Sequence, residues 1–195
     1  MKRLFLILIL AFSFQSWTKA DDIRDFEIEG MSIGDSLLDY YSKKEIKNGT
    51  KNFYTGSKDF FELSFLSPKS DSYTQITFTL KRDDKNYIIN AIAGIIFPYE
   101  IKSCNIKKAE IIDELNSVFE NARKKNYDYT YTKLADGKSV AEITDFILDD
   151  GSAVRVYCTD WSKATEEMKS TNYNDMLSVD ITSKLIMDWL RNEAY

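Results

Sequence analysis

Residues 75–97 constrain the fold more than any other stretch of this chain. Ile76, Phe78 and Leu80 alternate with Thr77, Thr79 and Lys81, the period of a strand with one buried face. Asp83, Asp84 and Asn86 supply turn residues, and residues 87–97 return as a second β-rich run. In that return Ile88, Ile92 and Ile96 lie opposite Tyr87, Ile89, Ala91 and Ile95, so both of its faces are apolar. A strand of this kind belongs in the middle of a sheet, with a helix over one face.

A second hairpin obeys the same logic. Residues 143–148 and 153–160 read as strands flanking Asp149-Asp150-Gly151-Ser152, where Asp-Gly accepts the positive φ values of a tight hairpin turn. Phe61, Leu63 and Phe65 share one face of a strand over 59–66, and Tyr127, Tyr129 and Tyr131 alternate in another. Leu177, Val179 and Ile181 mark the last strand. Residues 52–56 read as a polar, aromatic connection, 67–72 as a loop containing Pro68, and 162–174 as a polar surface loop.

Helical spacing appears in three places. In residues 28–47 a strand end at Phe26 and Ile28 meets a tight turn at Gly30, and Ser32 or Asp35 is placed to cap a helix. Leu37, Leu38 and Tyr41 then form an apolar face, and Lys43, Lys44 and Lys47 gather where the C-terminal end of the helix dipole favours cations. Residues 109–124 carry Ile111, Ile112, Leu115, Val118 and Phe119 on one side, and Leu185, Ile186, Trp189 and Leu190 mark a closing amphipathic helix. The order of elements implies an α+β fold with an antiparallel sheet covered by helices.

The chain also echoes itself. A shift of 73 positions lays Ile28 on Ile101, Met31 on Cys104, Ile33 on Ile106 and Leu38 on Ile111. This is the pattern of a duplicated unit, with chance as the alternative. On the duplication reading the chain divides into a signal peptide over 1–20, a helix-plus-sheet unit over 21–98, and a second such unit with the C-terminal helix over 99–195, together one compact domain.

The opening residues set the expected address. Lys2 and Arg3 precede an apolar run over 4–14, and Thr18 and Ala20 present small residues for cleavage after Ala20; an uncleaved anchor is the alternative. No other segment is apolar enough to span a membrane after such cleavage, so a periplasmic or secreted location is expected. Removing Lys2, Arg3 and Lys19 from the 26 basic residues leaves 23 against 31 acidic ones, a net charge of −8. That balance argues against nucleic acid as a partner, since phosphate binding needs clustered cations. Cys104 and Cys158 read as one disulfide in an oxidising compartment, or else as two buried free thiols.

Chemistry is limited by the absence of histidine. Without imidazole there is no Ser-His or Cys-His pair, and no metal or cofactor site is expected. The one S-x-x-K match, Ser16 to Lys19, lies within the signal peptide, and no Gly-rich phosphate loop comes after Gly30 or Gly34. No catalytic residue is assigned. Asp145, Asp149, Asp150 and Asp160 gather around the second hairpin and leave room for a carboxylate-dependent hydrolase. The aromatic residues Tyr54, Tyr127, Tyr129, Tyr131 and Trp161, with Phe53, are the candidate binding surface, unless they pack beneath loops.

Ile28 to Leu37, I-x-G-M-S-I-G-D-S-L, resembles the motif that leads into a helix in the β-lactamase-inhibitor-protein-like and small outer-membrane assembly lipoprotein folds. That resemblance implies one or two units in which helices pack on a small antiparallel sheet. The lipidated cysteine of the assembly lipoproteins is missing here, so no lipid anchor is implied. The chain also resembles uncharacterised exported proteins of AT-rich marine alphaproteobacteria. It shares their I-x-G-x-S-I-G-D-S-L-L-D-Y opening (28–40), a late cysteine before D-W (158–161), and the ending D-W-L-x-N-x-A-Y (188–195). Together these readings point to an exported non-catalytic binding or interaction protein whose partner is an unknown protein or envelope component. The alternative is the hydrolase, acting on an envelope or extracellular polymer.

Overall fold

A computed structural model describes residues 22–66, 72–97, 100–131, 139–161 and 175–194. The expected signal peptide and the loop over 162–174 lie outside the described residues, as does 67–71 of the loop around Pro68.

Among the described residues eight strands form one antiparallel sheet, so the α+β expectation holds. They are β1 (Thr50–Phe53), β2 (Phe60–Leu66), β3 (Gln75–Lys81), β4 (Ile89–Ile96), β5 (Arg123–Thr130), β6 (Val140–Ile147), β7 (Ala153–Asp160) and β8 (Met176–Thr182). Their spatial order is β1-β2-β3-β4-β8-β7-β6-β5. Each half is a meander, and the two meet where β4 pairs antiparallel with β8, Ile92 opposite Ile181. The doubly apolar β4 therefore sits centrally, as its composition requires.

Among the described residues three α-helices accompany the sheet: α1 (Lys43–Asn48), α2 (Ile101–Val118) and α3 (Lys184–Asn192). The inner face of the sheet, formed by Phe61, Leu63, Ile76, Phe78, Ile92, Phe146, Val154, Val156, Leu177 and Ile181, packs against α1, α2 and the N-terminal segment in one continuous core. Cys158 of β7 is bonded to Cys104 of α2, with their Cα atoms 6.0 Å apart. The bond closes a loop of 54 positions, which on the chain-entropy account contributes about 4 kcal/mol. It also anchors a helix that buries few side chains of its own, Cys104, Ile111 and Leu115. One end of the opposite, outer face is covered by α3, where Ile186 and Trp189 pack with Phe60 and Ala91.

Several local expectations are corrected. The turn at Gly30 is present, with Glu29 and Gly30 both at positive φ between the bridged pair Ile28 and Met31. The helix expected beyond it, however, is broken into a 3-10 turn, Leu37–Asp39, and the separate helix α1. Ser42 causes the break: it is extended, its hydroxyl accepts from the Glu45 amide, and the Glu45 carboxylate accepts from the Ser42 amide. This capping box restarts the helix at Lys43. Lys43 and Lys44 therefore occupy the first turn, and Lys47 alone keeps the expected C-terminal position. Asp35 caps no helix; it accepts from the Ser32 amide and the Tyr40 hydroxyl.

Residues 52 and 53, expected in a connection, belong to the edge strand β1. All four residues of β1 are exposed, so no alternation marks it. The helix expected over 109–124 spans Ile101–Val118 instead, and Arg123 and Lys124 open β5. That placement undoes the 73-position echo as a structural register. Ile28 to Leu38 is turns and 3-10 structure, while its counterpart from Ile101 lies inside a continuous helix.

Candidate functional site

The period of a strand divides the sheet into two unlike surfaces. On β6, β7 and β8, Phe146, Val154, Val156, Cys158, Leu177 and Ile181 point to the core. The residues between them point to the outer face: Asp145 on β6, Arg155 and Tyr157 on β7, Ser178 and Asp180 on β8. Tyr127 and Tyr129 of the edge strand β5 join the same face through their register with Ile143 and Ala141. Among the described residues α3 is the helix on this side, and it packs on Phe60 and Ala91 at the β2–β4 end.

One row crosses the whole outer face. Lys125, Asp145, Arg155, Asp180, Ala93, Thr77, Ser64 and Thr50 are successive Cα partners from β5 to β1. Four strands thus carry the alternating sequence Lys, Asp, Arg, Asp, each charge opposite its counter-charge. At its centre Arg155 Nε donates to Asp145 Oδ1 at 2.7 Å, and Nη2 donates to Oδ2 at 3.2 Å and to the Tyr127 hydroxyl at 3.0 Å. Tyr127 in turn donates to Asp145 Oδ2 at 3.1 Å. Asp145 is buried and Arg155 half-buried, so this fork is shielded from water and held in one geometry.

Asp180 stands on the other side of Arg155 and is less well served. The Ser178 hydroxyl donates to Oδ1 at 2.5 Å, and Oδ2 has no hydrogen-bond partner among the described residues. Burial pushes the Asp180 carboxyl up to about 6, against the Ser178 hydrogen bond and the Arg155 charge; Glu62 and Asp145 add to the rise. Burial alone would lower the Arg155 guanidinium, but its bonds to Asp145 outweigh that and hold it above the ordinary arginine value. Burial raises the Tyr127 hydroxyl to about 12, opposed by Arg155 and aided by Asp145. Tyr157 is pushed well up by burial and then by the Asp180 charge.

The aromatic candidates separate into two groups. Tyr129 and Tyr131 meet edge-to-face with centroids 5.0 Å apart, and Tyr131 lies 4.8 Å from Trp161, so these three form a rim at one end of β5–β7. Tyr127 continues the strand of tyrosines inward, with Lys125 over its ring at 4.7 Å. Tyr129 is the outermost, 53% exposed, whereas Trp161 is buried and its amide donates to Asp175. Tyr54 belongs elsewhere: its ring packs edge-on against Trp189 at 4.7 Å and its hydroxyl donates to Glu62, at the far side of the sheet with Phe53.

The four candidate carboxylates do not converge. Asp145 is spent on Arg155, Asp149 and Asp150 lie in the exposed turn where Asp150 caps Ser152, and Asp160 sits at the opposite end of β7, paired with Val140. Among the described residues no group of three metal-ligating side chains comes together. No described helix is long and apolar enough to cross a membrane.

Arg155, Asp180, Tyr157 and Ser178 are not legible as a site in the sequence. A charged residue between valines, as in V-R-V, or between Val179 and Ile181, signals only a half-buried strand. What joins these residues is strand order, which no local pattern carries. Comparison of the chain with protein-family models, with curated proteins and with solved structures finds no match.

Proposed function

We propose that this chain is an exported binding or interaction protein without a catalytic role, and that its contact surface is the outer face of β5–β8. The observation that carries this reading is the charged row of that face, Lys125 to Asp180, ending beside a rim of Tyr129, Tyr131 and Trp161, with α3 confined to the β2–β4 end. A sheet face turned to water needs only scattered polar residues, whereas this one sets its charges in one register row beside the tyrosine rim. Tyrosine and tryptophan beside an ordered arginine are the residue types that dominate partner binding.

The signal-peptide pattern of residues 1–20 and the Cys104–Cys158 bond support an exported, oxidised location, periplasmic or secreted. We also read the halves 21–98 and 99–195 as two copies of one helix-plus-sheet unit, because the strand order is mirrored about the β4–β8 pair. The hydrolase alternative requires two acids facing one another across a substrate; on this face Asp145 and Asp180 are kept apart by Arg155.

Site-specific photocrosslinking tests the reading. A photoreactive residue in place of Tyr129 should capture one envelope or extracellular protein. The same group in place of Ile106, exposed on the helix side, should capture none. Equal capture at both positions, or capture at neither, refutes it.

A further inference from the structure

The alternation of the charged row stops one residue short. Arg155 has an anion on each side, Asp145 and Asp180, but beyond Asp180 the next Cα partner is Ala93. On the far side of Ala93 the row continues with neutral hydroxyls: Thr77 accepts from Gln75 Nε2 at 2.9 Å and shares a 2.9 Å hydrogen bond with Ser64. Asp180, Ala93 and Thr77 are all partly exposed, so the Asp180 carboxylate meets solvent beside the short side chain of Ala93. Asp145 is already consumed by Arg155 and Tyr127, and Glu62 accepts from Tyr54, while one Asp180 oxygen has no donor among the described residues.

We propose that the gap above Ala93 is the seat of a cationic side chain, arginine or lysine, of the protein that binds this face, with Asp180 as its counter-ion and Thr77 and Gln75 as further polar contacts. The inference rests on the proposed interaction function and names the chemistry of its partner. Charge complementarity chooses a cation. Three carboxylates, Glu62, Asp145 and Asp180, lie on this part of the face against Arg155 and Lys125, and because Arg155 is already engaged by Asp145, the partly exposed Asp180 oxygen is the acceptor left open to a cation. The groups facing Asp180 are Ser178 on its own strand, Arg155 and Tyr157 on β7, Asp145 on β6, Glu62 on β2, and Tyr131, whose own hydroxyl the Asp180 charge helps to raise. Binding should therefore weaken as the pH falls through about 6 and Asp180 takes up its proton.

The test uses the purified protein and three capped tripeptides, Gly-Arg-Gly, Gly-Lys-Gly and Gly-citrulline-Gly, monitored through the carboxyl carbon signal of Asp180 in NMR. The arginine or lysine peptide should shift that signal and lower the midpoint of its titration, and the neutral citrulline peptide should do neither. Asp180→Asn should weaken the cationic peptide about tenfold, a loss of about 1.4 kcal/mol. Ala93→Lys, which supplies an ammonium group within the chain, should abolish peptide binding and lower the Asp180 midpoint by itself. The second variant keeps the test open should Asp180→Asn fail to fold.

The inference is overturned if neither cationic peptide moves the signal, if citrulline binds as well as arginine, or if Ala93→Lys binds peptide like the unaltered protein. Its failure is distinct from failure of the interaction reading. A partner captured from position 129 equally well by the protein and by Asp180→Asn would leave the contact surface standing and remove only the cation seat.

Discussion

The two faces of the sheet are made by the same strands and could hardly differ more. The inner face is a continuous apolar layer in which Leu63, Phe78, Leu80, Ile89 and Val156 have no measurable exposure. The outer face is covered by α3 at the β2–β4 end; toward β5 it carries charges, hydroxyls and tyrosines in registered rows, with Ile143 and Ala141 among them. Because side chains alternate at every residue, one strand such as β7 serves both, with Val154, Val156 and Cys158 turned in and Arg155 and Tyr157 turned out. Burial is concentrated on one side, and the other holds cross-strand charge pairs such as Arg155 and Asp145.

The largest break in that comparison should come from the inner face. Phe78→Ala removes a fully buried ring that meets Tyr41 and Phe65 edge-on, and should cost about 3–5 kcal/mol in urea unfolding. A loss below about 1 kcal/mol would mean the core collapses around the gap more readily than a close-packed interior does.

Asp180→Asn should act in the opposite direction. A carboxyl whose folded value, about 6, exceeds its ordinary 3.8 binds protons more tightly in the folded state. Its contribution to stability is therefore highest at low pH and falls as the pH rises from about 4 to 6. Replacing it with a neutral amide should remove that falling slope and stabilise the protein at pH 7 by up to about 3 kcal/mol, the equivalent of about two pH units. Unfolding curves at pH 4 and 7 for both proteins would decide it, and an unchanged slope would show that Asp180 is not the group responsible.

Gly94 probes the inner face where a side chain lies flat on the backbone. The Tyr73 ring occupies the space that a Cβ at position 94 would need. Gly94→Ala should cost about 1–3 kcal/mol through overpacking, and the same change should cost far less in a Tyr73→Ala background. Additive losses would place the strain elsewhere. The smallest effect belongs to the rim. Tyr129→Ala should leave stability within about 0.5 kcal/mol, as for an exposed side chain. The same change should reduce partner capture, measured with the photoreactive group moved to position 131.

Much of this architecture is readable in the sequence alone. Ile76 to Leu80 and Leu177 to Ile181 are strands because two-residue alternation buries one side, and Asp149-Asp150-Gly151-Ser152 turns because Gly151 accepts a φ of 89°. The departures are of two physical kinds. Ser42-x-x-Glu45 is a legible capping box, but the lysines beside it suit a longer helix and mask the break. The exposed strand β1 has no signal to read, since a strand wetted on both sides need not alternate.

The candidate site divides along the same line. Tyr127, Tyr129 and Tyr131 can be placed together because they lie on one strand, and Cys104 can be matched to Cys158 because no third cysteine competes. Arg155 can be set opposite Asp145 across the 149–152 hairpin, but Asp180 cannot be joined to them, since its place depends on β8 returning between β4 and β7. Local periodicity sets which side of a strand each residue faces, because that choice is made by backbone geometry within a few residues. Which strands lie side by side is decided by burial of the whole inner face, and so the charged row exists only in the folded sheet.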